Sequence, residues 1–208
     1  MSVEGMIYRL LALLVAIVGH EFAHARVSDL LGDPTPRLTG RLTLNPVAHL
    51  DTLGLITLWL FGFGWARPVE INPYYYRDRR RGTLLVSLAG PGMNVLLALA
   101  SLVVIKAAGI PLRRGVAGEA LFWILQYNLW LSVFNLIPVP PLDGSKILMS
   151  LLPGQQSLFF ARLEPQGWII LLLLIWTGLI GTVMRPLAMA LWGALDIASD
   201  VLLLRPFL

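Results

Sequence analysis

The chain has 208 residues, of which 57% are hydrophobic and 13% charged, and its formal net charge is +4. A soluble domain is typically about 45–50% apolar and about 25% charged, so this composition indicates a membrane protein of one domain's length. The sequence contains no cysteine, which excludes disulfides and thiolate metal sites, so any metal must be bound through nitrogen and oxygen. The basic residues form short clusters without an aromatic stripe, which argues against a nucleic-acid partner.

Five apolar segments are long enough for helices that cross a bilayer, which takes roughly 20 residues each. They lie at 6–27, 83–110, 119–137, 168–184 and 187–204. The last segment contains Asp196 and Asp200, which share a helix face because they are four residues apart. It is therefore expected either to cross the membrane with a polar stripe or to lie on the surface as an amphipathic helix.

The segment 52–66 is also apolar, but as a helix it would be only about 23 Å long, against a hydrocarbon core of roughly 30 Å. We therefore expect a short or re-entrant segment here. If it does not cross, the end of the first helix and the arginine-rich stretch 76–82 lie on the same side of the membrane. The positive-inside rule makes that side cytoplasmic and puts the amino terminus outside.

Residues 37–44 alternate polar and apolar side chains, which predicts a short strand or hairpin, and residues 66–73 have a similar character. Extended backbone at membrane depth is tolerated where it is buried in protein or lines a wet cavity. The expected fold is an all-α polytopic membrane protein with about four to six transmembrane or re-entrant helices around a buried metal site, plus a short membrane-associated β-hairpin. One domain is expected over 1–208, with its core at 6–152 and C-terminal helices at 167–204.

The sequence HEFAH lies near the end of the first apolar segment. Its histidines, His20 and His24, are four residues apart, so on a helix they project from one face and can bind one metal. Glu21 lies about 100° further around the helix, where it can take a proton from an activated water without binding the metal. The alternative is a polar face packed against another helix. Three ionisable groups in one turn favour the metal site, because each costs at least about 2.5 kcal/mol at membrane depth.

A catalytic zinc site takes three protein ligands, and the remaining candidates are His49, Asp143 and a few other carboxylates. Asp143 follows a proline-rich stretch that ends a helix and leaves backbone groups free. It can either turn toward the histidines or serve as the N-cap of a short helix at 144–152. Asp51 is expected to be an N-cap, and His49 either bonds within the site or satisfies its own loop.

Four motifs, HEFAH, NPVAHLDTLG, AGPGMN and NLIPVPPLDG, occur in this order between about residues 18 and 146. Together they resemble the site-2 protease family of intramembrane zinc metalloproteases, and most closely its compact members without accessory domains. The resemblance implies that His20, His24 and Asp143 bind one Zn2+ per chain. It also implies that Glu21 is the general base. The apolar stretch after HLDTLG is shorter here than in those compact members.

The resemblance further implies that Asn94, Asn135 and His49 orient the substrate or stabilise the oxyanion. The expected function is that of a zinc metalloendopeptidase, which hydrolyses peptide bonds in or near transmembrane segments of single-pass membrane proteins. Its expected location is a prokaryotic cell membrane, with the active site toward the cytoplasmic side. The sequence leaves homo-oligomerisation open.

Two other functions compete with proteolysis. A metal carrier would also bury histidine, glutamate and aspartate, but carriers usually have repeated halves, and this sequence has no internal repeat. A catalytically silent relative would bind transmembrane helices without cutting them, and the intact Glu21 argues against that alternative.

Overall fold

The structure, a computed structural model, describes residues 3–54, 57 and 66–204. Its α-helices are α1 (Val3–Leu30), α2 (Thr35–Leu38), α3 (Arg79–Ala107), α4 (Gly115–Asn135), α5 (Asp143–Leu151), α6 (Gly154–Leu163), α7 (Gly167–Trp176) and α8 (Leu179–Leu202). Short 3-10 turns lie at Pro46–His49, Pro73–Tyr75 and Glu164–Gln166. Helices α1, α3 and α4 pack against one another, and α5 packs on α3. These four helices carry the HEFAH, AGPGMN and NLIPVPPLDG motifs, so their packing determines the geometry of the site.

Several helices carry enough apolar surface to cross a membrane. Within the described residues, four segments meet the requirements of length and hydropathy, namely Glu4–Leu30, Arg79–Ala107, Gly154–Trp176 and Leu179–Leu202. Large apolar side chains stay exposed along α7, where Ile169 is 63% and Trp176 85% accessible, as expected for a surface that faces lipid. The prediction of a helical, multi-pass membrane protein is confirmed.

Helix α4 lies where a spanning helix was predicted at 119–137, but it is not among those four segments. Polar side chains such as Glu119, Gln126 and Asn128 lower its mean hydropathy. Asn128 and Ser132 are completely buried. Helix α4 therefore supplies hydrogen-bonding groups to the interior of the bundle.

The C-terminal helices break at a different place from the one predicted. The expected boundary lay between 184 and 187, next to Pro186, but that proline is inside α8. The chain turns instead at Gly178, which has a φ of 74° and lies directly before α8. Glycine adopts this left-handed conformation without the Cβ clash that other residues meet, so it separates the two helices where the proline does not.

The polar stripe of α8 faces α3. Lys106 of α3 lies 2.7 Å from a carboxylate oxygen of Asp196 and 2.7 Å from one of Asp200. Its ammonium group also donates to the backbone carbonyl of Asp196 at 3.0 Å. The two aspartates thus attach α8 to the bundle, which favours a helix packed on α3 over one that lies apart on the membrane surface.

The prediction of a β-hairpin is wrong. Residues 3–54 and 66–204 contain no β-strand, and the pair Leu50 and Ala66 forms only an isolated antiparallel bridge. Part of the predicted strand 37–44 belongs instead to α2, because Pro34 and Pro36 favour helical φ angles at the start of a helix. The carbonyl of Pro36 then accepts hydrogen bonds from the amides at 41 and 42, so these groups are satisfied locally and not in a ladder.

Most of the short segment predicted at 52–66 lies outside the described residues. Its start is described, and there Asp51 accepts a hydrogen bond from the backbone N–H of Gly54 at 2.8 Å. The prediction that Asp51 is an N-cap is confirmed.

Candidate metal centre

His20, His24 and Asp143 meet in the interior of the bundle. The Nε2 atoms of the two histidines are 3.0 Å apart, and each lies 3.1 Å from Oδ2 of Asp143. All three residues are buried, with exposures of 5%, 8% and 8% respectively. They form a group of potential ligands in which one atom of each residue faces the other two.

Helix α1 brings the two histidines to one face, and a glycine of α3 makes room for them. The residue is Gly90, the second residue of the AGPGMN motif. A Cβ atom at this position would lie 2.3 Å from Nε2 of His24 and 2.6 Å from Nε2 of His20. Any side chain here would therefore occupy the space between the imidazoles. Gly90 was not among the residues predicted from the sequence, although its motif was.

Asp143 is brought to the histidines by the first turn of α5. The helix begins at Asp143 itself, Leu142 precedes it, and no side chain caps the helix, so the N-cap interpretation of Asp143 is wrong. Gly144 allows the close turn, since its Cβ would lie 2.4 Å from the carbonyl oxygens of Leu136 and Ile137. Burial would raise the pKa of the Asp143 carboxyl, but the adjacent imidazoles favour its charged form and hold the pKa below its usual range.

The other end of α5 is fastened to α3 by one arginine. Arg80 donates to the backbone carbonyls of Ser150, Leu151 and Leu152, the latter two at 2.7 and 3.0 Å. These carbonyls belong to the last turn of α5, which has no intrahelical donors for them. Arg80 thus fixes the orientation of the helix that presents Asp143.

The second nitrogen of each histidine is also bound. Nδ1 of His20 lies 2.7 Å from Oδ1 of Asn94, and Nδ1 of His24 lies 2.7 Å from the carbonyl oxygen of Val86. The amide nitrogen of Asn94 donates to Ala16 O at 2.9 Å and to Oδ1 of Asn128 at 2.8 Å. Asn94 is therefore behind His20 and completely buried, whereas the family resemblance predicted that it orients the substrate or stabilises the oxyanion.

Sequence reasoning missed Asn128. It is completely buried on α4, and its own amide nitrogen donates to Ile124 O at 2.9 Å. An asparagine in a predicted spanning segment usually bonds to a neighbouring helix, but the sequence does not show which neighbour it meets.

The donor set fits a zinc ion. A carbonyl oxygen can only accept, so Nδ1 of His24 carries the proton and a neutral ring presents a lone pair at Nε2. Lone pairs that face one another require a shared proton or cation between them. Ligands at tetrahedral angles around zinc lie about 3.3–3.5 Å apart, given bonds of about 2.0–2.2 Å. The observed separations of 3.0–3.1 Å are close to these values.

Comparison with known proteins agrees with this chemistry. The model of peptidase family M50 matches residues 112–176, which include Asp143. The chain is 40% identical over 189 residues to "Putative zinc metalloprotease YwhC" of Bacillus subtilis, and this match covers 88% of the chain and 86% of that protein. The chain belongs to peptidase family M50, the site-2 protease family.

A second relative of this M50 protease is "Putative zinc metalloprotease Rip2" of Mycobacterium tuberculosis. It is 36% identical over 138 residues, or 63% of this chain and 52% of Rip2. No solved structure matches the chain. The family and its named members make the protein a metalloprotease, and they argue against the metal-carrier alternative.

Glu21 lies beside the ligand group of the M50 protease without joining it. Its Oε2 accepts a hydrogen bond from the backbone N–H of Val69 at 2.9 Å. The other carboxylate oxygen, Oε1, accepts no hydrogen bond from the part of the chain that the structure describes. The side chain is half-buried and so keeps some contact with its surroundings outside the bundle.

Within the described residues, no hydrogen bond links the remaining two predicted residues, His49 and Asn135, to His20 or His24. His49 is completely buried, and its Nε2 donates to the carbonyl oxygen of Thr43 at 2.8 Å. Its Nδ1 is buried without a hydrogen-bond partner among the described residues. Asn135, at the end of α4, donates to Leu131 O at 3.1 Å. Their roles toward a substrate stay predictions.

Proposed function

We propose that this M50 protease hydrolyses peptide bonds in or near the transmembrane segments of single-pass membrane proteins. The observation that carries the proposal is the buried meeting point of His20, His24 and Asp143 among helices apolar enough to span a membrane. Ionisable groups at such depth are costly unless they are paired or bind a metal, so they mark a functional site. A protease with its site there acts on peptide bonds that are themselves within or close to the membrane.

In this proposal His20, His24 and Asp143 hold one Zn2+ per chain, through the two Nε2 atoms and Oδ2. When bound, the ion supplies Lewis-acid activation of a water and of the scissile carbonyl. The hydrogen bonds from Nδ1 of His20 to Asn94 and from Nδ1 of His24 to Val86 keep both rings aimed at the ion. We therefore assign Asn94 to ligand orientation and not to substrate binding.

Glu21 is proposed as the general base. It takes a proton from the attacking water and gives it to the leaving amine. The hydrogen bond from Val69 fixes Oε2, and Oε1 is left for the proton transfer. The fixed carboxylate is oriented before the substrate arrives, which lowers the entropic part of the barrier.

His49 and Asn135 are proposed as substrate contacts. Because Nε2–H of His49 donates to Thr43, a neutral ring offers Nδ1 as an acceptor. His49 would then accept a backbone N–H of the substrate and would not donate to an oxyanion. The side chain of Asn135 is only half-buried, so its amide can reach a substrate by exchanging its bond to Leu131.

The proposed orientation puts the active site toward the cytoplasmic side of a prokaryotic cell membrane. The amino end of α3 and the residues before it form an exposed basic cluster of Arg77, Arg79, Arg80 and Arg81. Such clusters are retained in the cytoplasm. His24 bonds to Val86, about two turns into α3 from this end, so the metal centre is nearer the basic side. The whole chain, 1–208, is proposed to form a single membrane domain.

Cleavage of tagged single-pass segments, co-reconstituted with the purified protein in liposomes, tests the proposed function. We expect zinc-loaded wild type to cut one or more members of a segment panel and Glu21→Gln to cut none. Glu164→Gln is the matched control, because it makes the same chemical change at an exposed residue in the turn Glu164–Gln166, outside the ligand group. Cleavage by Glu21→Gln at the wild-type rate would overturn the assignment of the base. Binding without any cleavage by zinc-loaded wild type would point to a scaffold and overturn the protease.

A further inference from the structure

A buried carboxylate outside the metal centre has no role in the proposed reaction. Asp33 lies three residues beyond the end of α1 and is completely buried. It forms no ion pair within the described ranges, and its charge is met by three hydrogen-bond donors. Ser28 Oγ and the backbone N–H of Asn72 donate to Oδ2 at 2.8 and 2.7 Å, and the backbone N–H of Thr35 donates to Oδ1 at 3.0 Å.

These three hydrogen-bond donors favour the charged form of Asp33. Burial alone would raise the pKa of Asp33, but the hydrogen bonds from Asn72, Thr35 and Ser28 outweigh that effect and lower it. A buried carboxylate without such partners would be very costly. The Asp33 carboxylate is therefore a preformed hydrogen-bond acceptor for the backbone N–H of Asn72 and not a solvent-exposed charge.

Residues 66–76, which we call the strap, contact the end of α1 and the turn that follows it. The N–H of Arg67 donates to His49 O at 2.9 Å, and the N–H of Val69 donates to Glu21 at 2.9 Å. Three residues later Asn72 is bound by Asp33, and the hydroxyl of Tyr76 lies 2.7 Å from Ser28 Oγ. The strap contains no helix or strand over 67–72, so these contacts determine its path.

We propose that Asp33 is a positioning residue for Glu21. Its hydrogen bond to the backbone N–H of Asn72 limits the movement of the strap. The N–H of Val69 therefore stays bonded to Oε2 of Glu21. The inference rests on the proposed function of Glu21 as general base. Loss of the Asp33 anchor releases the strap, so Glu21 samples orientations in which proton transfer is unproductive, while the metal ligands keep their places.

The variant Asp33→Asn tests this role, because it keeps the shape of the side chain and replaces one acceptor oxygen by a donor. In either orientation of the new amide at least one of the three donors loses its partner, and the bond from Asn72 is lost or weakened because a neutral amide oxygen replaces a charged acceptor. We expect kcat on a segment that wild type cuts to fall about tenfold or more, since small misplacements of catalytic groups have effects of this size. KM is expected to stay within about twofold and the zinc content to stay unchanged.

The motion of the strap is measured separately. Since the chain has no cysteine, a spin label at Glu70→Cys, an exposed position between Val69 and Asn72, reports on the strap alone. A label at Gln155→Cys on α6 is the reference position. Asp33→Asn is expected to mobilise the label at 70 and not the one at 155. Asp78→Asn, which makes the same change at the N-cap of α3, should alter neither kcat nor the label, since asparagine caps helices as well as aspartate.

Each outcome supports or overturns the inference. A lower kcat together with a mobile label at 70 supports it, whereas either change without the other overturns it. If Asp33→Asn does not fold, Ser28→Ala removes one donor, keeps the charge and is expected to give the same two changes at smaller size. Full activity of Glu21→Gln would instead refute the base assignment, and it would do so whatever Asp33→Asn does to the strap.

Discussion

The imidazole of His20 and the side-chain amide of Asn94 share a 2.7 Å hydrogen bond in a part of the bundle closed to solvent. Asn94 donates in turn to the backbone of Ala16 and to Asn128, so the network joins α1, α3 and α4 behind the metal centre. The ring of His20 is therefore held by three helices. A ligand held in this way loses little entropy when it binds an ion.

Asn94→Ala is expected to lower zinc affinity by about 10- to 100-fold, the usual effect of losing a partner that orients a metal-binding histidine. The loss arises because the His20 ring can then rotate and Nδ1 has no fixed acceptor. Competition with a chelator of known affinity measures the change. Gln126→Ala serves as the control, since within the described residues that amide is bonded to the exposed Trp130 indole and to nothing in the metal centre. Equal zinc affinity in wild type and Asn94→Ala would mean that packing alone orients the ring.

Gly90→Ala is expected to abolish zinc binding and cleavage. The added methyl group would lie 2.3 Å from Nε2 of His24, so the histidine must leave its position or the helices must separate. Two residues further along α3, a Cβ at Gly92 would meet no atom of the described residues within 4 Å beyond the backbone of its own helix and its chain neighbours. Gly92→Ala should therefore keep zinc and activity, and a helix-favouring gain of roughly 0.5–1 kcal/mol is expected. Zinc content and thermal unfolding, measured side by side for Gly90→Ala and Gly92→Ala, test both expectations. Full zinc content in Gly90→Ala would contradict the prediction.

The sequence alone predicts the histidine pair, because a spacing of four residues brings side chains to one face of any helix. It could not choose between Asp143 as ligand and as N-cap, since both need an aspartate after a helix break. That choice came from the resemblance to a family, and the fold now brings Asp143 within 3.1 Å of both histidines. Gly90 and Asn128 stayed hidden because their importance depends on how closely α3 and α4 approach α1, and no local pattern encodes that distance.

The predicted hairpin failed for a related reason. Alternation of polar and apolar residues at 37–44 is equally compatible with a short helical turn followed by a loop. Pro34 and Pro36 favour the helical start, and the carbonyl of Pro36 satisfies the next amides. Similarly, the predicted boundary between 184 and 187 was wrong, because the turn between the helices requires a residue that can adopt positive φ, and Gly178 provides it. In both cases backbone conformation outweighed side-chain pattern.

Lys106→Met is expected to destabilise the protein by roughly 2 kcal/mol, less than the 3–5 kcal/mol of a fully buried pair because Asp196 is half-exposed. Removal of the ammonium leaves Asp196 and Asp200 close together without a cation. The triple variant that also carries Asp196→Asn and Asp200→Asn should recover part of the loss, since no unpaired charge remains. Thermal unfolding in detergent measures both. Lys146→Met, at a lysine without a hydrogen bond or ion pair among the described residues, is the control. A triple variant less stable than Lys106→Met would contradict this account.

Asp33 gives the fold a dependence on pH with a defined sign. Its folded pKa is lowered from the ordinary value, because three hydrogen bonds to the carboxylate outweigh the effect of burial. A group of this kind contributes stability that is fully present above its unfolded pKa of about 3.9 and is lost as the pH falls through the folded value. The neutral amide of Asp33→Asn contributes no such term.

The difference in melting temperature between wild type and Asp33→Asn is therefore expected to be constant from pH 7 down to about pH 5 and to shrink below about pH 4. Thermal unfolding in detergent across this range measures it, with Asp78→Asn as the matched carboxylate-to-amide control at an exposed helix cap. The control should show a small difference, because asparagine caps the helix as well as aspartate does. If the difference in melting temperature between wild type and Asp33→Asn widened on acidification, the buried carboxyl would be protonated in the folded protein. Asp33 would then not be an ionic anchor for the strap.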